Sequence, residues 1–159
     1  MASDIFLKLT NIKGESKDDK HKGEIDIASF EWGLQNTGDM AFGGGGGAGK
    51  VSFNDMAIVK RCDLSTPSLM QACAKGDHIG EGVLTVRKAG GKQEEYYKIT
   101  LKDILISSIA NSGNDGDNPV ERLTLNFAEI KFDYKEQTEK GGLGGVAKFG
   151  WHLKKNIAV

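Results

Sequence analysis

"ERLTLNFAEIKFDYK", Glu121 to Lys135, decides the fold. Apolar side chains first fall on Leu123, Leu125 and Phe127, then on Ile130, Phe132 and Tyr134. A period of two is the mark of a strand with one buried face. One change of phase is what a β-bulge writes into sequence, because an extra residue turns the inward face over. A long strand that changes phase midway is sharply bent, and barrels or strongly coiled sheets need such strands.

Working outward, the same signature recurs. "EIDIASFEWGL" passes from Ile25 and Ile27 to Phe30, Trp32 and Leu34, and "KVSFNDMAIV" passes from Val51 and Phe53 to Met56 and Ile58. "DIFLKLTNI" alternates Ile5, Leu7 and Leu9 against Phe6, Lys8 and Thr10. Further strands are expected over Gly82 to Lys88, Glu95 to Ala110 and Val146 to Lys154. Gly90-Gly91 in "KAGGKQE" marks a hairpin, and "NSGNDGDNP", Asn111 to Pro119, a polar turn between strands. One helix is expected, over about 66–75. Ser65 or Thr66 is placed to cap it and Pro67 suits its first turn. Leu69, Met70 and Cys73 supply its apolar face, and Gly76 is placed to end it in the left-handed conformation. The sum is a mainly β chain of sharply bent strands suited to a barrel, with one helix to cover its end or flank and a long glycine-rich loop over about 37–50.

The bulk numbers set limits. The 159 residues suit one domain, 1–159. With 21 basic against 22 acidic side chains and a net charge of −1, no basic face is implied, so nucleic acid is not an expected partner. Asp4 and Lys8 stand where the apolar stretch of a secretory signal would run, and no apolar run is long enough to cross a membrane. Synthesis in the cytoplasm is the expectation, and any export must use a route without a cleaved signal. Cys62 and Cys73 form no CxxC pair and read as two reduced thiols.

The motifs that carry chemistry fail in turn. Gly44, Gly49 and Lys50 satisfy G-x-x-x-x-G-K, yet Val51 stands where Ser or Thr should hold magnesium, and a strand follows where a phosphate loop needs a helix. The same objection removes Gly44-x-Gly46-x-x-Gly49. A calcium loop centred on Gly116 puts Gly113 and Arg122 at ligand positions. His21, His78 and His152 are isolated. No G-x-S-x-G elbow is present. Trp32 and Trp151 belong to the core, to an interface or to a sugar-stacking platform. No catalytic, cofactor or metal residue is assigned. Two classes remain open on these grounds: an assembling structural protein, and a monomeric β-barrel that binds a small ligand or sugar, with a catalytic reading third.

"IKGESKDDKHKGEIDIASFEWG" (Ile12 to Gly33), "GGGGGAGKVSF", "STPSLMQACAKGDH", "LTVRKAGGKQEEYYKITLKDILISSI", "LTLNFAEIKFDY", "KFGW" and the terminal "KKNIAV" run in order along the whole chain. Together they resemble the haemolysin-coregulated protein family, Hcp, of type VI secretion, in its branch with a polyglycine loop. The resemblance implies a small closed β-barrel of two antiparallel sheets flanked by a helix. It implies a homohexameric ring, rings stacked head to tail as the inner tube of a contractile injection machine, and export of the protein itself. The partners it implies are further copies of the chain, the spike protein, the contractile sheath and effector proteins carried in the lumen, with no cofactor and no membrane insertion. It places ring stacking on the extended loop: Gly38, Asp39, Met40, Ala41, Phe42, Gly43, Gly44, Gly45, Gly46, Gly47, Ala48, Gly49 and Lys50. With Phe30, Trp32 and Leu34 turned to the core, Ser29 and Glu31 face outward, and the resemblance gives that side to the lumen and its effectors. Some relatives carry a toxin domain after the barrel; here Val159 follows the last strand directly, so no effector activity of its own is expected.

Overall fold

The computed structural model describes residues 3–38, 49–90, 92–137 and 143–159, with the backbone alone for Leu143. Among the described residues, eleven strands and one helix follow in the order β1 (Ser3–Leu9), β2 (Ile25–Asp26), β3 (Ser29–Glu31), β4 (Leu34–Asn36), β5 (Val51–Phe53), β6 (Met56–Arg61), α1 (Thr66–Lys75), β7 (His78–Lys88), β8 (Glu95–Ser112), β9 (Val120–Gln137), β10 (Leu143–His152) and β11 (Ile157–Ala158). They form two antiparallel sheets, one of nine strands and one of two.

The decisive stretch lies in β9, and it changes face as read: Leu123, Leu125, Phe127 and then Ile130 are buried. The cause is not a bulge in one strand. Leu101 pairs with Ile130 and Ile104 with Phe127, so the register is the same on both sides of the turn-over. Both strands add a residue at the same level: Asp103 sits at φ 52°, and the Ala128 carbonyl accepts from Leu153 N at 2.9 Å. A paired interruption bends the sheet without slipping it. A true bulge lies further along β8, where the register shifts between Ile106 and Ser108, leaving Ser107 as the extra residue.

The bend gives β9 two partners along one edge. Its first half pairs with β6, Met56 to Leu125 through Arg61 to Val120. Its second half pairs with β10, which diverges. On its other edge β8 runs alongside throughout, followed by β7, β1 and β2. Residues 25–31 then close the circuit. They pair first with β1 (Leu7 to Ile25, and Ile27 N to Ile5 O, 3.0 Å) and then with β6 (Ala28 N to Val59 O, 2.9 Å, and Ser29 to Val59). The partner change falls between Ile27 and Ala28. The stretch read from sequence as one bent strand is thus three short ones, β2, β3 and β4.

Inside the circuit lie Leu7, Leu9, Ile25, Met56, Ile58, Leu84, Ile99, Leu101, Ile104, Ile106, Leu123 and Leu125, each nearly inaccessible. Helix α1 packs on β8 through Leu69 and Ala72. Met70, expected on that face, is exposed; the buried face runs through Thr66, Leu69 and Ala72, at the three-residue spacing of one helix side. The Ser65 hydroxyl makes no cap bond; it donates instead to Asp63 Oδ1, and the Ser65 carbonyl accepts from Leu69 N. Gly76 ends the helix at φ 69°, its amide and that of Asp77 bonding to Cys73 O and Ala72 O.

Candidate functional site

No apolar residue ends the core on the α1 side. Lys60 and Glu121 occupy the inward positions that continue Met56–Ile58 and Leu125–Leu123, and they face each other across the β6–β9 ladder. Both side chains are fully buried, with Lys60 Nζ 2.7 Å from Glu121 Oε2. Lys60 also donates to Asp63 Oδ1 (2.9 Å) and Arg61 O (3.1 Å), while Asn111 Nδ2 donates to Glu121 Oε1 (3.0 Å). Asp63 in turn accepts from Ser65 N, so the row ties the start of α1 to the barrel. A second polar group lies on the outer side of β1 and β7. Segment 13–24 covers Phe6, whose ring stacks on His21 at 4.3 Å and lies beneath the Arg87 guanidinium at 4.9 Å. Arg87 bonds Asp4 and Asp18; its Nη1 lies 2.9 Å from Asp18 Oδ2. That bond, first among several causes, holds the Asp18 carboxyl below the usual carboxylate range. Neither buried group was recognised from sequence, although Lys60 and Glu121 at inward-facing positions were a legible signal.

Ser29 and Glu31 are exposed, and Phe30 between them is half-buried on the core, as the alternation requires. Ladder pairing sets both in rows across four strands. Ser29, Val59, Arg122 and Ala110 form one row; Glu31, Ala57, Thr124 and Ser108 form the next. Paired residues in an antiparallel ladder share a face, so these rows make one outward surface with no large apolar side chain. Trp32 packs by its edge on Phe132 and donates from Nε1 to Tyr97 Oη at 2.7 Å. Burial pushes the Tyr97 phenol up, and the Trp32 bond partly offsets this. Leu34, expected in the core, is 47% exposed. The chain has left the barrel at Gly33 and entered β4, where no core lies beneath it.

β4 and β5 form the separate two-stranded ribbon, Leu34 to Phe53, Gln35 to Ser52 and Asn36 to Val51. At its far end Asn36 Nδ2 donates to Gly49 O at 2.6 Å. A Cβ on Gly49 would lie 2.5 Å from Thr37 O, so only glycine permits this approach of two backbones. At its base Phe53 meets Phe127 edge-on at 6.1 Å, and Asn54 N bonds Gly33 O at 3.0 Å. Of the expected stacking loop, Gly38, Gly49 and Lys50 flank the tip of this ribbon. Asp39, Met40, Ala41, Phe42, Gly43, Gly44, Gly45, Gly46, Gly47 and Ala48 lie outside the described residues.

Where β6 and β10 part, a cavity of about 600 Å³ opens, lined by Lys50, His78, Asp103, Asn126, Phe127 and His152 among others. No Trp or Tyr lines it. Among the described residues no three His, Cys, Asp or Glu side chains are grouped to hold a metal ion, and no helix is long and apolar enough to cross a membrane.

The class the fold defines is an antiparallel β-barrel with one flanking helix and a two-stranded ribbon that, among the described residues, joins no ladder of the larger sheet. Comparison with known proteins gives the family. Residues 6–134 match the family described as type VI secretion system effector, Hcp. The chain is 48% identical over 160 residues, 99% of each protein, to Protein hcp1 of Pseudomonas aeruginosa. It superposes with a TM-score of 0.95 on a solved type six secretion system protein at 28% identity, covering 99% of this chain and 100% of that one. On Hcp1 from Salmonella typhimurium the TM-score is 0.85 at 35% identity, covering 100% of both. The chain belongs to the Hcp family and is a structural component of the type VI secretion system.

Proposed function

We propose that six copies close into a ring, that rings stack head to tail as the inner tube of the secretion machine, and that the rows of Ser29 and Glu31 face the lumen, where effectors are carried. The chain acts by assembly and transport and is not an enzyme. It is made in the cytoplasm and leaves with the tube it builds. The observation that carries the reading is the outward face of β3, β6, β9 and β8. Its cross-strand rows of Ser, Ala, Thr and Val, with Glu31 and Arg122 as the charged exceptions, make a low, polar wall over which a folded cargo slides without being gripped. The ribbon supports stacking. Two strands alone are marginal in water, and Leu34 on it is 47% exposed, an apolar side chain in want of a cover. A contact with the next ring supplies one, and repetition of one such heterologous contact is open-ended.

Light scattering on the size-exclusion peak, with negative-stain images of it, tests the ring. A mass of about six chains and annular particles are expected; a monomer at high concentration refutes the ring. Glu31→Arg tests the lumen. The ring is expected to persist while effector retention changes, and unchanged co-purification of every effector counts against the placement.

A further inference from the structure

The ribbon leaves the barrel through Trp32 and Gly33, between β3 and β4, and returns to it through Asn54 and Asp55, between β5 and β6. Asp55 is half-buried and both of its carboxylate oxygens are engaged. Oδ2 accepts from Ser107 Oγ at 2.7 Å and Oδ1 accepts from Asn126 Nδ2 at 2.9 Å. Asn126 is on β9 and Ser107 is the extra residue of the β8 bulge, so one side chain ties the ribbon base to two barrel strands. Ser107 Oγ lies 2.7 Å from Thr124 Oγ1, which lies 2.6 Å from Ser108 Oγ. Each hydroxyl has one proton to give. With Asp55 accepting only, the chain runs Ser108 to Thr124 to Ser107 to Asp55, each donating to the next. The bulge sets Ser107 and Ser108 together opposite Thr124 on the outward face, so all three hydroxyls meet there.

We propose that Asp55 is the positioning residue of the ribbon: clamped by Ser107 and Asn126, it sets the direction in which β4–β5 leaves the barrel, and so the geometry of ring stacking. The second half of this statement rests on the stacking role proposed above; the first does not. Backbone ladders cannot do this work, since no ladder among the described residues joins β4 or β5 to the larger sheet. Phe53 on Phe127 fixes distance, whereas two charge-assisted bonds to different strands fix angle.

Hydrogen exchange on the purified protein, together with tube lengths by negative stain, tests it. In Asp55→Ala the amides of 34–36 and 51–53 are expected to exchange at least about tenfold faster while those of β8 and β9 keep wild-type rates. Asp55→Asn is expected to restore slow exchange, because its amide oxygen still accepts from Asn126 and its NH₂ donates to Ser107. Ser107→Ala, which cuts one anchor and leaves the Asp55 backbone alone, is expected to give a smaller rise in the same amides. Wild-type ribbon exchange in Asp55→Ala overturns the proposal. So does a rise spread equally through β8 and β9, which marks a merely structural residue. Fast ribbon exchange with normal tubes upholds the positioning role and refutes stacking through the ribbon.

Discussion

Removing Glu121 exposes how the barrel end is held. Its side chain and that of Lys60 are both fully buried and 2.7 Å apart. Breaking a buried pair by deleting one partner costs about 3–5 kcal/mol, because the other charge is left in a low-dielectric site. Here Lys60 keeps Asp63 at 2.9 Å and the Arg61 carbonyl at 3.1 Å, which places Glu121→Ala at the lower end, about 3 kcal/mol. For a chain of this size that is a fall of roughly 6–12 °C in Tm. Replacing both partners, Lys60→Met with Glu121→Leu, removes the charge problem and is expected to be neutral or stabilising, by up to about 4 kcal/mol. Urea denaturation followed by Trp32 and Trp151 fluorescence measures both, at fixed protein concentration since assembly itself stabilises. A loss below about 1 kcal/mol for the single variant, or a double variant worse than the single one, refutes the reasoning.

Two further outcomes concern Gly49 and the carboxyls of Asp18 and Asp26. Gly49→Ala drives a methyl group against Thr37 O. It is expected to shorten tubes in negative stain while barrel stability stays within about 0.5 kcal/mol; unchanged tube length removes the ribbon tip from the contact. Acid titration separates two carboxyls of opposite sign. Asp18, lowered chiefly by its Arg87 hydrogen bond, contributes stability that is present above the ordinary carboxylate range and lost as pH falls through its folded value. Asp26 is raised, first by partial loss of water around a side chain that stays exposed, and then by Asp63, Asp4, Asp18 and Glu15. Its contribution favours the fold at acid pH and is lost as pH rises. Asp26→Asn is therefore expected to raise Tm at pH 7 and to lose that advantage toward pH 4, whereas Asp18→Asn lowers Tm at pH 7 and converges with wild type in acid. A Tm difference independent of pH for either variant overturns its assignment.

The strands were legible because a buried face forces alternation. Even the phase change of β9 stood in the sequence, although that β8 interrupts its alternation at the same level did not, since that depends on register across the pair. Leu34 was misread for the same reason. Its phase continues Phe30 and Trp32, and no local signal says that the core ends at Gly33. Helix α1 was placed to the residue, yet its cap was not, because Asp63 competes for the Ser65 hydroxyl through a contact with Lys60. On the outward face, Ser29 and Glu31 followed from alternation. Asp55 was invisible: its significance lies in Ser107 and Asn126, fifty-two and seventy-one residues away.

The switch of partner between Ile27 and Ala28 also orders events when the chain folds. The hairpin of β8 and β9 joins neighbours in sequence, and β7 and β10 add to it from either side at short separation. Residues 25–31 have no such local partner. They bind one strand whose place comes from β7 and another whose place comes from β9, so they find a seat only when both are set. Closing the barrel is thus a late, non-local step, the kind that slows folding most. Until it happens, β1 and β6 present two open edges to any other chain nearby. The chain is most exposed to wrong pairing in that interval.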